Sequence, residues 1–186
     1  MEPARKMTYA EYLAFEEAAE TKHEFVDGQV IAMAGGTLEH SRLQAEVAYQ
    51  LRRQLEGSEC RVLSSDGRVR IESTSSARYP DVSVVCGEVE RAGDDPEGLA
   101  NPVLLVEVLS PSTERSDRGE KFAHDKHIAS LQEYVLVSQE DPRIEVFRRT
   151  DDGWLLNEAG PGETLELRSI DATLDVDALY RDRIDD

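Results

Sequence analysis

LLVEVLSP, residues 104–111, is an apolar run interrupted by one acid. Leu104, Leu105, Val106, Val108 and Leu109 have the composition of a strand buried on both faces, and Glu107 stands in their midst. A carboxylate in that place loses its hydration unless a cation or hydrogen-bond donors replace the water. Alternation along a strand puts Leu105, Glu107 and Leu109 on one face and Leu104, Val106 and Val108 on the other. Upstream, Asp81 opens the run DVSVV directly after Pro80. If these two strands are sheet neighbours, two acids converge near a strand end, where they repel unless a divalent cation neutralises them. Oxygen donors of this kind suit hard cations such as Mg²⁺ or Mn²⁺. A structural ion pair between Glu107 and an arginine, with Asp81 only capping its strand, would account for the same residues without a metal.

Working outward, the sequence predicts alternating helices and strands. MTYAEYLAFEEA reads as a short helix in which Thr8 and Glu11 form a capping box. HEFVDGQVIAMAGG reads as a hairpin turning at Asp27-Gly28. Leu43, Val47, Leu51 and Leu55 recur at a spacing of four, marking an amphipathic helix that stops at Gly57. CRVLSSDGRVRIE supplies two strands around Asp66-Gly67, and SDRGEKFAHDKHIAS a helix with Ser116 or Asp117 near its cap. EYVLVS, RIEVFRR and GWLLNEA are further strands, and DVDALYRD is a closing helix. The class is α/β with a mixed sheet, because hairpins are interspersed with a crossover helix. One domain over 1–186 is expected, its core at about 38–138 and a C-terminal β extension at about 143–186.

Composition limits the setting. No stretch approaches the roughly 20 apolar residues of a membrane span, and the N-terminus lacks a signal-peptide core, so a cytoplasmic protein is expected. The two cysteines, Cys60 and Cys86, give neither a disulfide framework nor a metal spacing and read as buried small apolar residues. The net charge of −18 should on average repel phosphate backbones. That charge is uneven: the tail 151–186 and the loop EVERAGDDPE (88–97) are acidic, whereas Arg61, Arg68 and Arg70 stand close together. Arg68 and Arg70 share a strand face and could meet phosphates, or serve as counter-charges to the acidic surface. There are four lysines, and Lys121 and Lys126 both fall on the helix after Glu107. A lysine beside metal-bound carboxylates can hold a water or stabilise charge on a phosphoryl group, although helix lysines are ordinarily solvated.

YPDVSVVC, LLVEVLSPST and RSDRGEKFAHDKHIASLQEYVLVSQEDPRIEVFRR, in that order and preceded by HEFVDGQVIAMAGGTLEHSRL, resemble the Uma family of restriction-endonuclease-like proteins, within the PD-(D/E)xK nuclease superfamily. The resemblance runs from Thr8 to about Asp177. It implies a restriction-endonuclease-like core, a mixed sheet flanked by helices with an N-terminal hairpin and extra C-terminal strands. It implies a Mg²⁺- or Mn²⁺-dependent endonuclease acting on nucleic acid, DNA first of all, with Asp81 and Glu107 as metal ligands. The superfamily's lysine two residues after the second acid is here Leu109. The family supplies it from the next helix, at Lys121, in the D-x-x-x-K pattern beginning at Asp117. Where a tyrosine commonly follows four residues later this chain has Asp125, an acid placed to pair with Lys121. Glu24 and His40 match recurring family positions as accessory residues; a strand-edge surface charge and a locally bonded helix-start residue are their structural alternatives. The extra strands, with Trp154, would cover or extend the sheet and support a homodimer. Two other functions remain open: a nuclease fold retained as a binding or scaffold module, and a metal-dependent hydrolase of nucleotides.

Overall fold

The computed structural model describes residues 6–33, 35–110 and 114–184. Pro111, Ser112 and Thr113, the end of the LLVEVLSPST stretch, lie outside the described residues. In chain order the elements are α1 (Tyr9–Ala18), β1 (His23–Val26), β2 (Gln29–Ala32), α2 (Leu38–Gln54), β3 (Cys60–Ser64), β4 (Val69–Ile71) and β5 (Ser76–Arg78). Then come β6 (Val82–Cys86), β7 (Arg91–Ala92), β8 (Asp95–Leu99) and β9 (Leu104–Leu109). A helical run follows as α3 (Glu114–Ser116), a π-helical turn (Asp117–Lys121) and α4 (Phe122–Asp125). The chain closes with β10 (Glu133–Ser138), β11 (Ile144–Thr150), β12 (Gly153–Ala159), β13 (Thr164–Leu167), β14 (Ala172–Asp175) and α5 (Val176–Tyr180).

Among the described residues the strands form two six-stranded sheets and a ribbon, where the sequence suggested one mixed sheet. The first sheet runs β2-β1-β5-β4-β8-β7, the second β12-β11-β10-β9-β6-β3, and β13-β14 is the ribbon. Both are mixed, since β9–β10 and β4–β8 are parallel and the remaining pairs antiparallel. The segments flanking Asp66-Gly67 go to different sheets: β3 pairs with β6, and β4 with β5 and β8. The opening hairpin is formed as expected. Asp27 and Gly28 have φ of 45° and 85°, the double positive φ of a type I′ turn. A Cβ on Gly28 would also stand 2.6 Å from Lys6 Cβ.

The alternation of β9 organises the core. Leu104, Val106 and Val108 pack with Leu43, Val47 and Leu51 of α2 and with Leu165, Leu167 and Leu174 of the ribbon. Each fully buried α2 aliphatic contributes roughly 1.5–3 kcal/mol relative to an exposed one. Leu105 and Leu109, on the opposite face, meet Val69, Ile71 and Leu99 of the first sheet and Leu131, Tyr134 and Leu136. Glu107 therefore points between the two sheets. The far side of the first sheet is covered by α1, through Tyr9 and Tyr12 against Phe25 and Ala77. Thr8 and Glu11 make the capping box reciprocally.

Two readings are corrected. Cys60 and Cys86 are not independent core residues: they oppose each other across β3 and β6 and are joined as a disulfide. Antiparallel partners on adjacent strands bring their Cβ atoms within bonding reach, and register cannot be read from spacing. Ser116 and Asp117 do not cap a helix either, because the helical run is already under way at Glu114 and Asp117 begins its π turn. Arg68 and Arg70 are committed within the fold. Arg68 holds Asp95 through Nε at 2.6 Å and NH2 at 2.8 Å, and Arg70 holds Asp94 at 2.7 Å. Two of the five acids of segment 88–97 are thus paired by these arginines, which are counter-charges inside the fold instead of on its surface.

Candidate active site

Asp81 precedes β6 and Glu107 lies on β9, and these strands are antiparallel neighbours with Val82 opposite Val106. Continuing that register sets Asp81 opposite Glu107. The Asp81 carboxylate is fixed from two sides: Oδ2 accepts from the Val108 N–H at 2.7 Å, and Oδ1 lies 2.9 Å from His40 Nε2. Gln44 donates to the Asp81 carbonyl at 2.8 Å. His40 and Gln44 are one turn apart on α2, so the helix that packs the core also aims the acid. Thr37 caps that helix by accepting from the His40 N–H at 3.1 Å.

Lys121 enters from the π turn. Its ammonium stands 3.0 Å from Asp117 Oδ1, 3.4 Å from Glu24 Oε1 and 3.5 Å from Glu107 Oε1. The Lys121 side chain is 12% exposed, and Glu24, Glu107 and Asp117 are all buried. Glu24 is on β1, an interior strand of the first sheet. Glu24, His40, Asp81, Glu107, Asp117 and Lys121 line one cleft of about 270 Å³ between the two sheets. All five residues singled out in the sequence are brought together there. Asp117, read earlier as a cap, joins them. Its signal was the D-x-x-x-K spacing, which places an acid one turn before a lysine.

The electrostatics follow from burial and crowding. Burial pushes the Glu107 carboxyl well above the usual carboxylate range; Lys121 opposes this, and Asp81, Asp117 and Glu24 add to it. For Lys121, burial favours the neutral amine, but Glu107, Glu24 and Asp117 outweigh it and the proton is held more tightly than on a free lysine. The hydrogen bond to Asp81 raises the His40 pKa against the lowering effect of burial. Asp125 does not take up Lys121 as an ion-pair partner; its ion pair is with Arg78, at 3.6 Å.

The π turn is buttressed from below. Phe122 stacks on Phe147 at 4.5 Å and meets Tyr134 at 5.1 Å and the edge of Trp154 at 5.2 Å. The Tyr134 hydroxyl donates to the Asp117 carbonyl at 3.0 Å. The added strands β11 and β12 extend the second sheet and, through Phe147 and Trp154, seat the residue next to Lys121.

No three or more His, Cys, Asp or Glu side chains among the described residues form a ready cage for a metal ion. The donor chemistry nonetheless fits a hard cation. Glu24 Oε1 and Asp117 Oδ1 are buried against the Lys121 ammonium, and among the described residues each Asp81 oxygen has one partner and keeps a further lone pair. Mg²⁺ commonly takes one or two carboxylates and completes its shell with water and phosphate. A two-acid site agrees with that habit.

The fold recurs in a solved structure. A crystal structure from Anabaena variabilis ATCC 29413, described as "a putative nuclease belonging to DUF820", superposes with a TM-score of 0.78 at 18% identity, over 94% of this chain and 98% of that one. The Uma2 family, described as "Putative restriction endonuclease", matches residues 9–177, and the chain belongs to it. Two relatives come from Synechocystis sp. (strain ATCC 27184 / PCC 6803 / Kazusa). "Uncharacterized protein slr1290" is 39% identical over 180 residues, spanning 96% of this chain and 94% of its own. "Uncharacterized protein sll1609" is 36% identical over 162 residues, spanning 87% and 91%. Family and fold suggest a restriction-endonuclease-like nuclease. Among the described residues no helix is long and apolar enough to cross a membrane.

Proposed function

We propose that this chain is a metal-dependent endonuclease that hydrolyses phosphodiester bonds in nucleic acid, DNA in the first instance. Asp81 and Glu107 bind Mg²⁺ or Mn²⁺, and Lys121 acts on the scissile phosphate or the attacking water. The observation that carries this reading is the setting of Lys121: a nearly buried ammonium held among Glu24, Glu107 and Asp117, with Asp81 lining the same cleft. A bound divalent ion would supply Lewis acidity, lowering the pKa of a water and polarising a phosphoryl oxygen.

The chain's own groups have separate tasks. Val108 N–H and His40 hold the Asp81 carboxylate in one orientation. Asp117, one turn before Lys121, keeps the ammonium in the cleft. Lys121 donates hydrogen bonds to the phosphoryl oxygens as charge builds on them, an interaction worth most in a site that excludes water. Glu24 balances the ammonium when no phosphate is present. The protein acts as a homodimer, for which the outer strand β12, with Leu155 and Leu156 exposed, offers an edge.

The test is cleavage of a DNA duplex at low salt, with Mg²⁺ or with EDTA, by the wild type and by Glu107→Gln. Cleavage that requires Mg²⁺ and is lost in the variant supports the reading; no cleavage under any metal condition refutes it. A second reading, a nuclease fold kept as a scaffold for a protein partner, is favoured by one observation, the net charge of −18, which repels phosphate backbones. Neither binding nor cleavage of DNA in Mg²⁺ or Mn²⁺ would select it.

A further inference from the structure

A second cleft, of about 540 Å³, adjoins the first and shares Glu24 and Ser116 with it; Arg78, His124, Asp27 and Glu120 also line it. Its volume is that of an ordinary small-molecule site. Arg78 is 2% exposed, yet among the described residues its guanidinium makes no hydrogen bond. Its nearest partner is Asp125 at 3.6 Å, too long for one, and Nε is buried without a partner. His124 Nδ1 is likewise buried and unpartnered. The Asp125 ion pair offsets the Arg78 charge, but a buried guanidinium whose N–H groups lack acceptors remains unfavourable. A ligand bringing acceptor atoms to this wall would relieve it.

The charge around Arg78 selects the ligand. A phosphate here would find no surplus positive charge: Arg78 is already countered by Asp125, and Glu24, Asp27 and Glu120 line the same walls, the first two countered by Lys121 and Lys6. An uncharged group with acceptors on one edge and N–H donors on another fits both. Guanine is such a group: O6 and N7 accept the fork of an arginine, while N1–H and the 2-amino group donate to a carboxylate. Adenine sets an amino donor beside its N7, which an arginine fork cannot use.

We propose that this second cleft binds one unstacked guanine of the strand held in the Lys121 cleft, with Arg78 donating to O6 and N7. The inference rests on the nucleic-acid reading above and adds a base preference to it. Extruded bases are read in this manner, by hydrogen bonds to their edges in a side pocket.

The test is fluorescence anisotropy in EDTA at low salt, with labelled single-stranded DNA carrying one dG, dA or 7-deazaguanine at the same position. Wild type is expected to prefer the dG strand by about five- to 100-fold, and the 7-deaza strand, which keeps O6 but loses the N7 acceptor, to bind more weakly than dG. In Arg78→Lys, which keeps the charge but loses the fork, the dG:dA ratio should approach one. Reading that ratio within each protein separates preference from overall binding, and should Arg78→Lys fail to fold, the 7-deaza strand on wild type decides. Equal affinity for the dG and dA strands, a 7-deaza strand bound as tightly as dG, a dG:dA ratio unchanged in Arg78→Lys, or no binding of any strand overturns the proposal. Mg²⁺-dependent cleavage run alongside distinguishes the two readings. Cutting without a dG preference removes the pocket and leaves the nuclease; a dG preference without cutting keeps the pocket and removes the nuclease.

Discussion

Glu107 and Glu133 sit on neighbouring parallel strands of the same sheet, both almost fully buried, and their surroundings are opposite. Glu133 is satisfied by its own chain. It accepts from Arg148 Nε at 2.8 Å, the Arg168 and Ser169 N–H groups at 3.1 and 3.0 Å, and the Ser169 hydroxyl at 2.5 Å. Those bonds tie the turn between β13 and β14 to β10. Among the described residues Glu107 has one long contact, to Lys121, and shares that lysine with two further acids. Full pairing marks a carboxylate that holds the fold, because its desolvation is compensated. Crowding by like charge marks one held for something the chain does not itself provide.

The largest effect should fall on the paired acid. Glu133→Ala leaves Arg148 and two backbone N–H groups without their acceptor, and should lower unfolding stability by about 3–5 kcal/mol in urea titration. Glu107→Gln removes a charge from a crowd of acids and should leave stability nearly unchanged or higher. If both variants lose stability alike, the contrast between the two carboxylates fails.

Lys121→Ala comes next, on activity. Loss of one charge contact to a transition state costs on the order of 10²–10³ in rate, to be measured as single-turnover cleavage of duplex DNA. An unchanged rate would move Lys121 from chemistry to charge balance.

A third, smaller effect concerns pH. Burial raises the Asp125 carboxyl from 3.8 to about 7, against the opposing pull of Arg78 and Lys121. With the folded value above the unfolded one, the protonated acid favours the native state. Its contribution is fully present below about pH 4 and is lost as pH rises through about 7. At about 1.4 kcal/mol per unit, this amounts to at most a few kcal/mol. Stability of wild type and Asp125→Asn compared from pH 4 to 8 should differ in slope over that window; parallel curves would contradict it.

The chain of acids and lysine was legible because strand alternation and helical spacing are local rules. The apolar run flagged Glu107 and Pro80 flagged Asp81, while the family resemblance, through its D-x-x-x-K pattern, picked Lys121 over Lys126. Asp125 was legible as an oddity, but its partner Arg78 was not, since β5 is only three residues long and its place beside β1 depends on tertiary pairing. Strand β8 reads Asp-Pro-Glu-Gly-Leu, a composition that suggests a turn. Arg68 overrides it by fixing Asp95. The division into two sheets escaped for the same reason, and so did the Cys60–Cys86 bond, because a one-residue slip would turn one cysteine to the other face.

Lys126 provides the smallest expected change. It is exposed, and Lys126→Ala should alter stability by less than ~0.5 kcal/mol and leave cleavage as in wild type. Cleavage lost in Lys126→Ala and kept in Lys121→Ala would mean that the wrong lysine has been assigned.

The central claim is that the crowded acids are held for a cation. Calorimetric titration of Mn²⁺ into wild type, Asp81→Ala and Lys126→Ala tests it without reference to catalysis. A site present in wild type and Lys126→Ala and absent from Asp81→Ala is the predicted result; equal binding by all three proteins, or binding by none, would contradict it.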